Sequence, residues 1–400
     1  FLVVLGEHSV SYKQENSPCY HARDVAVMRG YFEKATVLLT SVSPSIESLS
    51  NCKLGKYALL KPTSDSRTPK IKVIDMRYEK QIVPYLSKTV IDAATKQMSR
   101  GRKIMFVVNR RGYATLLECP DCDRIEECPV CKIPLVFHKE DMSMKCHYCG
   151  AVRSPVPEFC SRCGGHNIQM HGSGTQRIQE DIEKILGIRG LRIDSDKMRR
   201  KSMLKAGEAA AAISESSILI GTKLMTRRLD SDTSFSMAAI LNADSMLNLP
   251  DFRSAERAYQ EICAVRDTIA PDGEILVQTR MPHHYVFKAL KALDCETIYR
   301  EELRRRKTLM YPPFSRLILL KWVAKRDLTQ ELLGNLKRID HNVEILGPSA
   351  TRNKQGAYEC KLLLRSPIRG QLHATARSIL EMFRASRDVR VKVNVDPQAC

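Results

Sequence analysis

Eight of the chain's 14 cysteines fall between positions 119 and 163 as four Cys-x-x-Cys pairs: Cys119/Cys122, Cys128/Cys131, Cys146/Cys149 and Cys160/Cys163. Gaps of 5, 14 and 10 residues separate successive pairs. Each pair can turn both thiolates toward one ion, and two pairs complete a tetrahedral zinc site with no position left for water. In a reducing compartment such spacing means metal rather than disulfides. Eight ligands therefore predict two structural Zn2+ sites and no catalytic zinc. Four pairs combine in three ways, and spacing alone does not choose among them. His138, His147, His166 and His171 could replace a thiolate, but beside eight cysteines they read as surface or hydrogen-bonded residues. Cys19, Cys52, Cys263, Cys295, Cys360 and Cys400 show no pairing and read as ordinary thiols.

The charge pattern points to a partner. Among 400 residues, 64 Lys and Arg stand against 45 Asp and Glu, a formal net charge of +19. Each zinc with four thiolates carries a net −2, so two centres lower the total from +19 only to +15. Such an excess favours a polyanion, most often nucleic acid. A content of 43% hydrophobic and 27% charged residues, with 18 Pro and 19 Gly, is that of a globular chain and excludes collagen-like and low-complexity classes. The length suggests two or three domains. No apolar stretch reaches the roughly 18 to 20 residues that span a bilayer, and the opening run Phe1 to Leu5 is too short for a signal-peptide core. The expected setting is cytoplasmic, without a membrane partner. The chain opens at Phe1, inside a strand-like run and without an initiator Met, as a piece of something longer would.

Strands and helices must position these groups. Phe1 to Leu5, Thr36 to Leu39, Ile104 to Val108, Ile218 to Ile220, Ala238 to Leu241 and Ile275 to Gln278 are short apolar runs that predict buried parallel strands. Helical periodicity lies between them, as in Ile178, Ile182, Ile185 and Leu186 after the turn at Gly172 to Thr175. That alternation predicts an α/β sheet, interrupted after Val108 by the cysteine-rich segment and resumed at Gly172. From about Ser315 the pattern changes to a small α+β domain, ending on alternating Val391, Val393 and Val395. Trp322, the one tryptophan, reads as core rather than as a platform for a base.

At this point the residues resemble a known family. Glu7-His8, Ser11-Tyr12-Lys13-Gln14 and Tyr20-His21-Ala22-Arg23-Asp24 look like the stretch after the Walker B motif of primosomal protein N-prime, the PriA replication-restart helicases. Further strings follow in order: Ser43-Pro44-Ser45-Ile46-Glu47, Asn109-Arg110-Arg111-Gly112-Tyr113, the cysteine insert, Ile220-Gly221-Thr222, Asp251-Phe252-Arg253-Ser254-Ala255-Glu256-Arg257, Tyr311-Pro312-Pro313-Phe314, Gly347-Pro348 and Asp396-Pro397. The resemblance implies RecA-like helicase lobes: the end of lobe 1 over 1–62, lobe 2 over 63–117 and 166–314, a zinc insert over 118–165, and a C-terminal DNA-binding-type domain over 315–400. It also implies that the outer cysteines, Cys119, Cys122, Cys160 and Cys163, share one zinc, and that Cys128, Cys131, Cys146 and Cys149 share the other.

Departures from the family pattern bear on mechanism. Phosphoryl transfer needs one carboxylate to hold Mg2+ and another to orient water, and the family carries them in Asp-Glu-Glu-His. Here the run is Leu5-Gly6-Glu7-His8. The paired arginines of the last helicase motif are also missing, with Arg266 at best approximating one of them. Family resemblance thus implies a primosomal replication-restart protein that binds stalled or forked DNA and helps assemble the primosome, while the residues predict weak or no ATP hydrolysis. The alternative is an active ATP-dependent 3′ to 5′ helicase with substituted catalytic residues, which would use ATP/Mg2+. Implied partners are forked or single-stranded DNA, other primosome proteins, the machinery that loads the replicative helicase, and single-strand DNA-binding protein.

Candidate DNA contacts are basic. Between Glu296 and Arg326 there are nine Lys/Arg against three acids, including Arg304, Arg305, Arg306 and Lys307. Ile188 to Ala206 holds seven against two. Arg110 and Arg111 follow a strand end and match a family motif at the cleft. Glu359 follows Tyr358 where the family often has Arg. The cysteine segment has few large apolar side chains, so metal must supply its folding energy, and it is expected to fold as an independent insert.

Overall fold

The computed structural model describes residues 1–61, 68–108, 117–119, 121–122, 124–138, 142–166, 168–170, 175–193, 215–221, 234–337, 342–352, 356–382 and 389–398. The chain opens with β1 (Leu2–Leu5), α1 (Ala22–Glu33), β2 (Val37–Thr40) and α2 (Ile46–Lys53). β1 and β2 pair in parallel, as their apolar runs predict. Burial departs from expectation. Phe1 is 78% exposed and Leu5 68%, and β1 and β2 form a two-stranded sheet among the described residues.

The main sheet is built from β3 (Lys70–Asp75), β6 (Ile104–Val107), β13 (Leu191–Ile193), β14 (Ile218–Gly221), β15 (Phe235–Ile240) and β16 (Ile269–Thr279). The intervening β4 (Gln81–Val83) and β5 (Leu86–Ser87) form a short hairpin leading into α3 (Lys88–Met98). Strand order is β13-β14-β6-β15-β16-β3, with every neighbouring pair parallel. A parallel sheet needs cover on both faces, and period-two alternation divides its side chains between two cores. Ile104, Phe106 and Val108 pack with Val90, Ile91 and Ala94 of α3 and with Ile178 and Ile182 of α4 (Thr175–Leu186). Met105 and Val107 point the other way. They meet α5 (Asp244–Leu247), α6 (Ser254–Arg266) and α7 (Tyr285–Ala292). α8 (Cys295–Thr308) then carries the chain out of this α/β lobe.

The last unit is an antiparallel sheet, β18-β19-β17-β20, formed by β17 (Arg316–Ala324), β18 (Glu344–Arg352), β19 (Tyr358–Ser366) and β20 (Arg390–Val395). α9 (Thr329–Leu336) and α10 (Arg369–Met382) cover one face, receiving Ile318, Leu320, Trp322, Leu362 and Leu364. Trp322 is fully buried there, as core. The opposite side chains, Leu317, Leu319, Leu346 and Leu363, pack against the cysteine-rich insert. That shared core corrects the expectation of an independent insert: the ribbon is the second cover of the C-terminal sheet.

Trp322→Ala should cost about 3–5 kcal/mol. Urea unfolding followed by circular dichroism checks the value, and a loss within 1 kcal/mol of zero would mean that Trp322 does not carry this core.

Candidate metal centres and the interlobe cleft

Six short strands flank the cysteines, of which only Cys119 lies within one: β7 (Leu117–Cys119), β8 (Arg124–Ile125), β9 (Val136–His138), β10 (Ser143–Lys145), β11 (Val152–Arg153) and β12 (Gln169–Met170). They form two three-stranded sheets, β12-β7-β8 and β11-β10-β9. Cys119, Cys122, Cys160 and Cys163 bring their sulfurs within 4.8 Å of one another, and so do Cys128, Cys131, Cys146 and Cys149. Sulfur pairs stand at 3.6 Å (Cys119/Cys163) and 3.5 Å (Cys122/Cys160 and Cys128/Cys149). A tetrahedron with Zn–S bonds of about 2.3 Å has edges of about 3.8 Å. Both donor sets therefore fit structural Zn2+, in the outer-with-outer, inner-with-inner pairing. Neither His147 nor His166 joins a cluster; the His166 ring lies 4.4 Å from that of Phe159. His171 is outside the described residues.

Backbone turns pre-shape these sites. The amides of Lys132, Gly150 and Gly164 donate to the carbonyls of Cys128, Cys146 and Cys160 at 3.0, 2.9 and 3.0 Å. These residues directly follow a pair's second cysteine and take φ of 54°, 73° and 71°, the left-handed turn that frees nearby N–H groups for sulfur. The amides of Cys131 and Arg162 then donate to the Cys128 and Cys160 sulfurs, each at 3.4 Å. Gly150 has a second constraint, since a Cβ there would sit 2.7 Å from the Pro348 carbonyl oxygen. The inner knuckle thus lies directly on β18. A column of rings continues this seam: Tyr311 stacks on Phe252 with centroids 4.4 Å apart, and Tyr148 meets Tyr311 edge-on at 6.4 Å.

Residues of the matched strings around Glu7, Ser45 and Arg253 form an ion network between the opening unit and the α/β lobe. Glu7 is 1% exposed. One carboxylate oxygen accepts from the Ser45 amide at 2.6 Å; the other accepts at 3.0 Å from the Ser45 and Ser48 hydroxyls and from Arg23. Both oxygens are consumed in fixing the start of α2. His8 Nδ1 lies 2.6 Å from the Ser41 hydroxyl. Across the interface Glu47 pairs with Arg253 and, at 3.5 Å, with Arg306. Glu256 accepts from the Ile46 amide at 3.0 Å and from Arg306 at 2.6 Å. Burial would raise the Glu47 carboxyl, but Arg253, Arg306 and Arg23 hold it down to about 2. Burial, with Arg23 nearby, lowers His21 to about 4. Among these side chains lies a cavity of about 20 Å³, room for about one water.

The basic residues named from the sequence separate. Arg306 is 2% exposed, with its guanidinium on Glu256 and on Glu302 at 2.8 Å, so the expected DNA contact is corrected to a buried ion pair. Ile298, Glu302 and Arg306 recur every four residues on the buried face of α8, a periodicity that was available in the sequence. Arg304 and Arg305 are exposed and bind Glu301 at 2.7 and 3.0 Å, and Lys307 is exposed. Arg110 and Arg111 lie outside the described residues, as does most of the 188–206 basic run. Arg266 meets Asp267 at 3.6 Å; nine residues beyond Arg257 on α6, it is about 14 Å along the axis from the cleft. Glu359 pairs with Lys321 at 2.7 Å. Among the described residues no helix is long and apolar enough to cross a membrane.

A parallel-sheet α/β lobe interrupted by a two-zinc ribbon and joined to an antiparallel α+β domain defines the class, the second RecA-like lobe and C-terminal region of a helicase-type protein. The comparisons narrow it. A family model described as the PriA DNA helicase Cys-rich region (CRR) domain matches residues 128–153, and one described as the Primosomal protein N C-terminal domain matches residues 307–398. Replication restart protein PriA of Bacillus subtilis (strain 168) is 31% identical over 416 residues, covering 99% of this chain and 51% of that protein. The protein of that name from Chlamydia pneumoniae is 32% identical over 420 residues, covering 99% and 55%; that from Haemophilus influenzae is 31% identical over 408, covering 98% and 56%. The chain belongs to the PriA family and spans about half the length of these curated relatives.

Removing zinc with a strong chelator should raise amide hydrogen exchange in 117–170 and in β17–β19, while β6, β14 and β15 stay protected. Exchange confined to the ribbon would restore the independent insert. Gly150→Ala should destabilise the ribbon's seat by about 1–3 kcal/mol through strain at positive φ, visible as earlier zinc loss on heating. Glu47→Gln should cost about 2–3 kcal/mol near neutral pH. An unfolded glutamate titrates near 4.3, above the folded value of about 2. The contribution is therefore whole above about 4.3 and is lost as pH falls toward the folded value. The gap between the two proteins' urea midpoints should narrow over that window, and since both lose zinc in acid, the difference isolates Glu47.

Proposed function

We propose that this chain serves replication restart in the cytoplasm as a zinc-stabilised DNA-binding and docking protein with weak or no ATP hydrolysis. The observation that carries the reading is the state of the acidic motif. Leu5 and Gly6 stand where the family has its acid pair, and Glu7, the one acid left in that run, has both oxygens engaged by Ser45, Ser48 and Arg23. In this reading Glu7 serves the start of α2, and the two carboxylates that phosphoryl transfer uses to hold Mg2+ and orient water are not both supplied by this run.

In this reading the ligand is forked or single-stranded DNA, held through phosphates by Arg304, Arg305 and Lys307 together with Arg110 and Arg111. The ribbon over 118–165 is the docking module for other primosome proteins, the loading machinery of the replicative helicase and single-strand DNA-binding protein. The remaining units are the end of lobe 1 over 1–62, lobe 2 over 63–117 and 166–314, and the C-terminal domain over 315–400. Bound zinc offsets half of the thiolate charge at each site and fixes the sulfurs; ATP/Mg2+ enters only if hydrolysis survives.

The test is DNA-stimulated phosphate release by a preparation of verified zinc content, beside a fork-binding titration at two salt concentrations. Expected are no turnover above background and, for the five phosphate contacts named, a roughly 100- to 500-fold weakening between 50 and 200 mM salt, single strands at the low end and duplex arms at the high end. Turnover would restore the helicase with substituted catalytic residues, and salt-insensitive or absent binding would remove the DNA reading.

A further inference from the structure

The two tetrathiolate sites have the same donors and different cover. Cys128, Cys131 and Cys146 are between 0 and 2% exposed, and with the partly buried Cys149 they belong to the core formed by Phe137, Met144, Tyr148 and the C-terminal residues Tyr311, Leu317 and Leu363. None of the outer four cysteines enters that core among the described residues. Cys119 and Cys160 are buried, Cys122 is half-buried, and Cys163 is exposed, flanked by exposed Arg162 and Gly164. An oxidant must reach sulfur along a line open to solvent, so equal chemistry meets unequal access.

We infer that the outer zinc site is a peroxide-sensitive release centre, whereas the inner site keeps its metal under the same exposure. The Cys163 thiolate attacks one oxygen of a hydrogen peroxide molecule, becoming a sulfenic acid and releasing hydroxide. Cys119, whose sulfur lies 3.6 Å away, displaces the sulfenic oxygen as a second hydroxide and forms a disulfide. The zinc, reduced to two thiolate ligands, is held loosely. A second peroxide oxidises Cys122 and Cys160, 3.5 Å apart, to the second disulfide. In total four thiolates give four electrons to two peroxides, the four hydroxides released take four protons from the buffer to become four waters, and one Zn2+ leaves. The β12-β7-β8 end of the ribbon loses its metal while the inner knuckles, seated on β18, retain theirs.

The test uses the zinc-loaded full chain, hydrogen peroxide and a chromogenic zinc chelator too weak to strip the native protein. One equivalent of zinc should be released, the second following only on denaturation. Peptide mapping should find Cys119–Cys163 and Cys122–Cys160 disulfides, with Trp322 emission unchanged. Cys163→His, which keeps four donors but removes the exposed thiolate, should slow release at least tenfold. Loss of both zincs at one rate, or inner-site disulfides appearing first, overturns the inference. So does retention of both zincs at a peroxide dose that oxidises Cys19 and Cys52. If the variant does not load zinc, the native protein's peptide map decides alone, and no readout depends on DNA or ATP.

Discussion

Four thiolates within 4.8 Å of one another repel strongly unless a divalent cation sits among them, and much of this chain's arrangement rests on that condition at the inner site. With zinc bound, Cys128, Cys131, Cys146 and Cys149 hold β9 and β10 in place, so that Phe137, Met144 and Tyr148 form an apolar plate. Leu317, Leu319, Leu346 and Leu363 need such a plate, because an antiparallel sheet with helices on one face leaves its other apolar face wet. Structural zinc supplies on the order of 10 kcal/mol or more to a module of this kind. Here that free energy also supports a sheet more than 150 residues further along the chain.

A second constraint is electrostatic. Arg306, Arg253, Glu256, Glu302 and Glu47 meet where the opening unit, the α/β lobe and the start of the C-terminal domain converge. Buried ion pairs add little net stability over apolar packing, but removing one partner strands a charge. The network therefore acts as a register for the three units more than as an adhesive. Arg253 and Arg306 also lie over the Phe252 ring, at 4.5 and 5.3 Å, which carries the seam toward Tyr311 and the ribbon.

Two acids of the matched strings, Glu7 and Glu256, have structural partners in this chain. Glu7 holds Ser45, the N-cap of α2, and Glu256 joins that helix to Arg306. The strings Ser43 to Glu47 and Asp251 to Arg257 supply the partners of this joint, so both have a packing role.

The eight cysteines, the central strands Ile104 to Val108, Ile218 to Ile220, Ala238 to Leu241 and Ile275 to Gln278, the helix at Ile178 to Leu186 and the burial of Trp322 were all legible in the sequence. Each depends on local periodicity or on ligand spacing, which the chain states directly. Which cysteine pairs share an ion was open on spacing, and only the resemblance chose among the three combinations. Residue type alone misplaced Arg306, because a lysine- and arginine-rich helix end looks solvated until the acids at 47 and 256 arrive from distant segments. It also misjudged the opening strands, whose apolar runs imply burial but do not say what covers them. The ribbon's seat on the C-terminal sheet was invisible for the same reason: Gly150 and Pro348 are nearly 200 positions apart, and only folding brings them into contact. Spacing along the chain determined the ligands and the elements. Tertiary packing decided which charges are buried, which zinc site is covered and which acids are held in ion pairs, because those depend on neighbours remote in sequence.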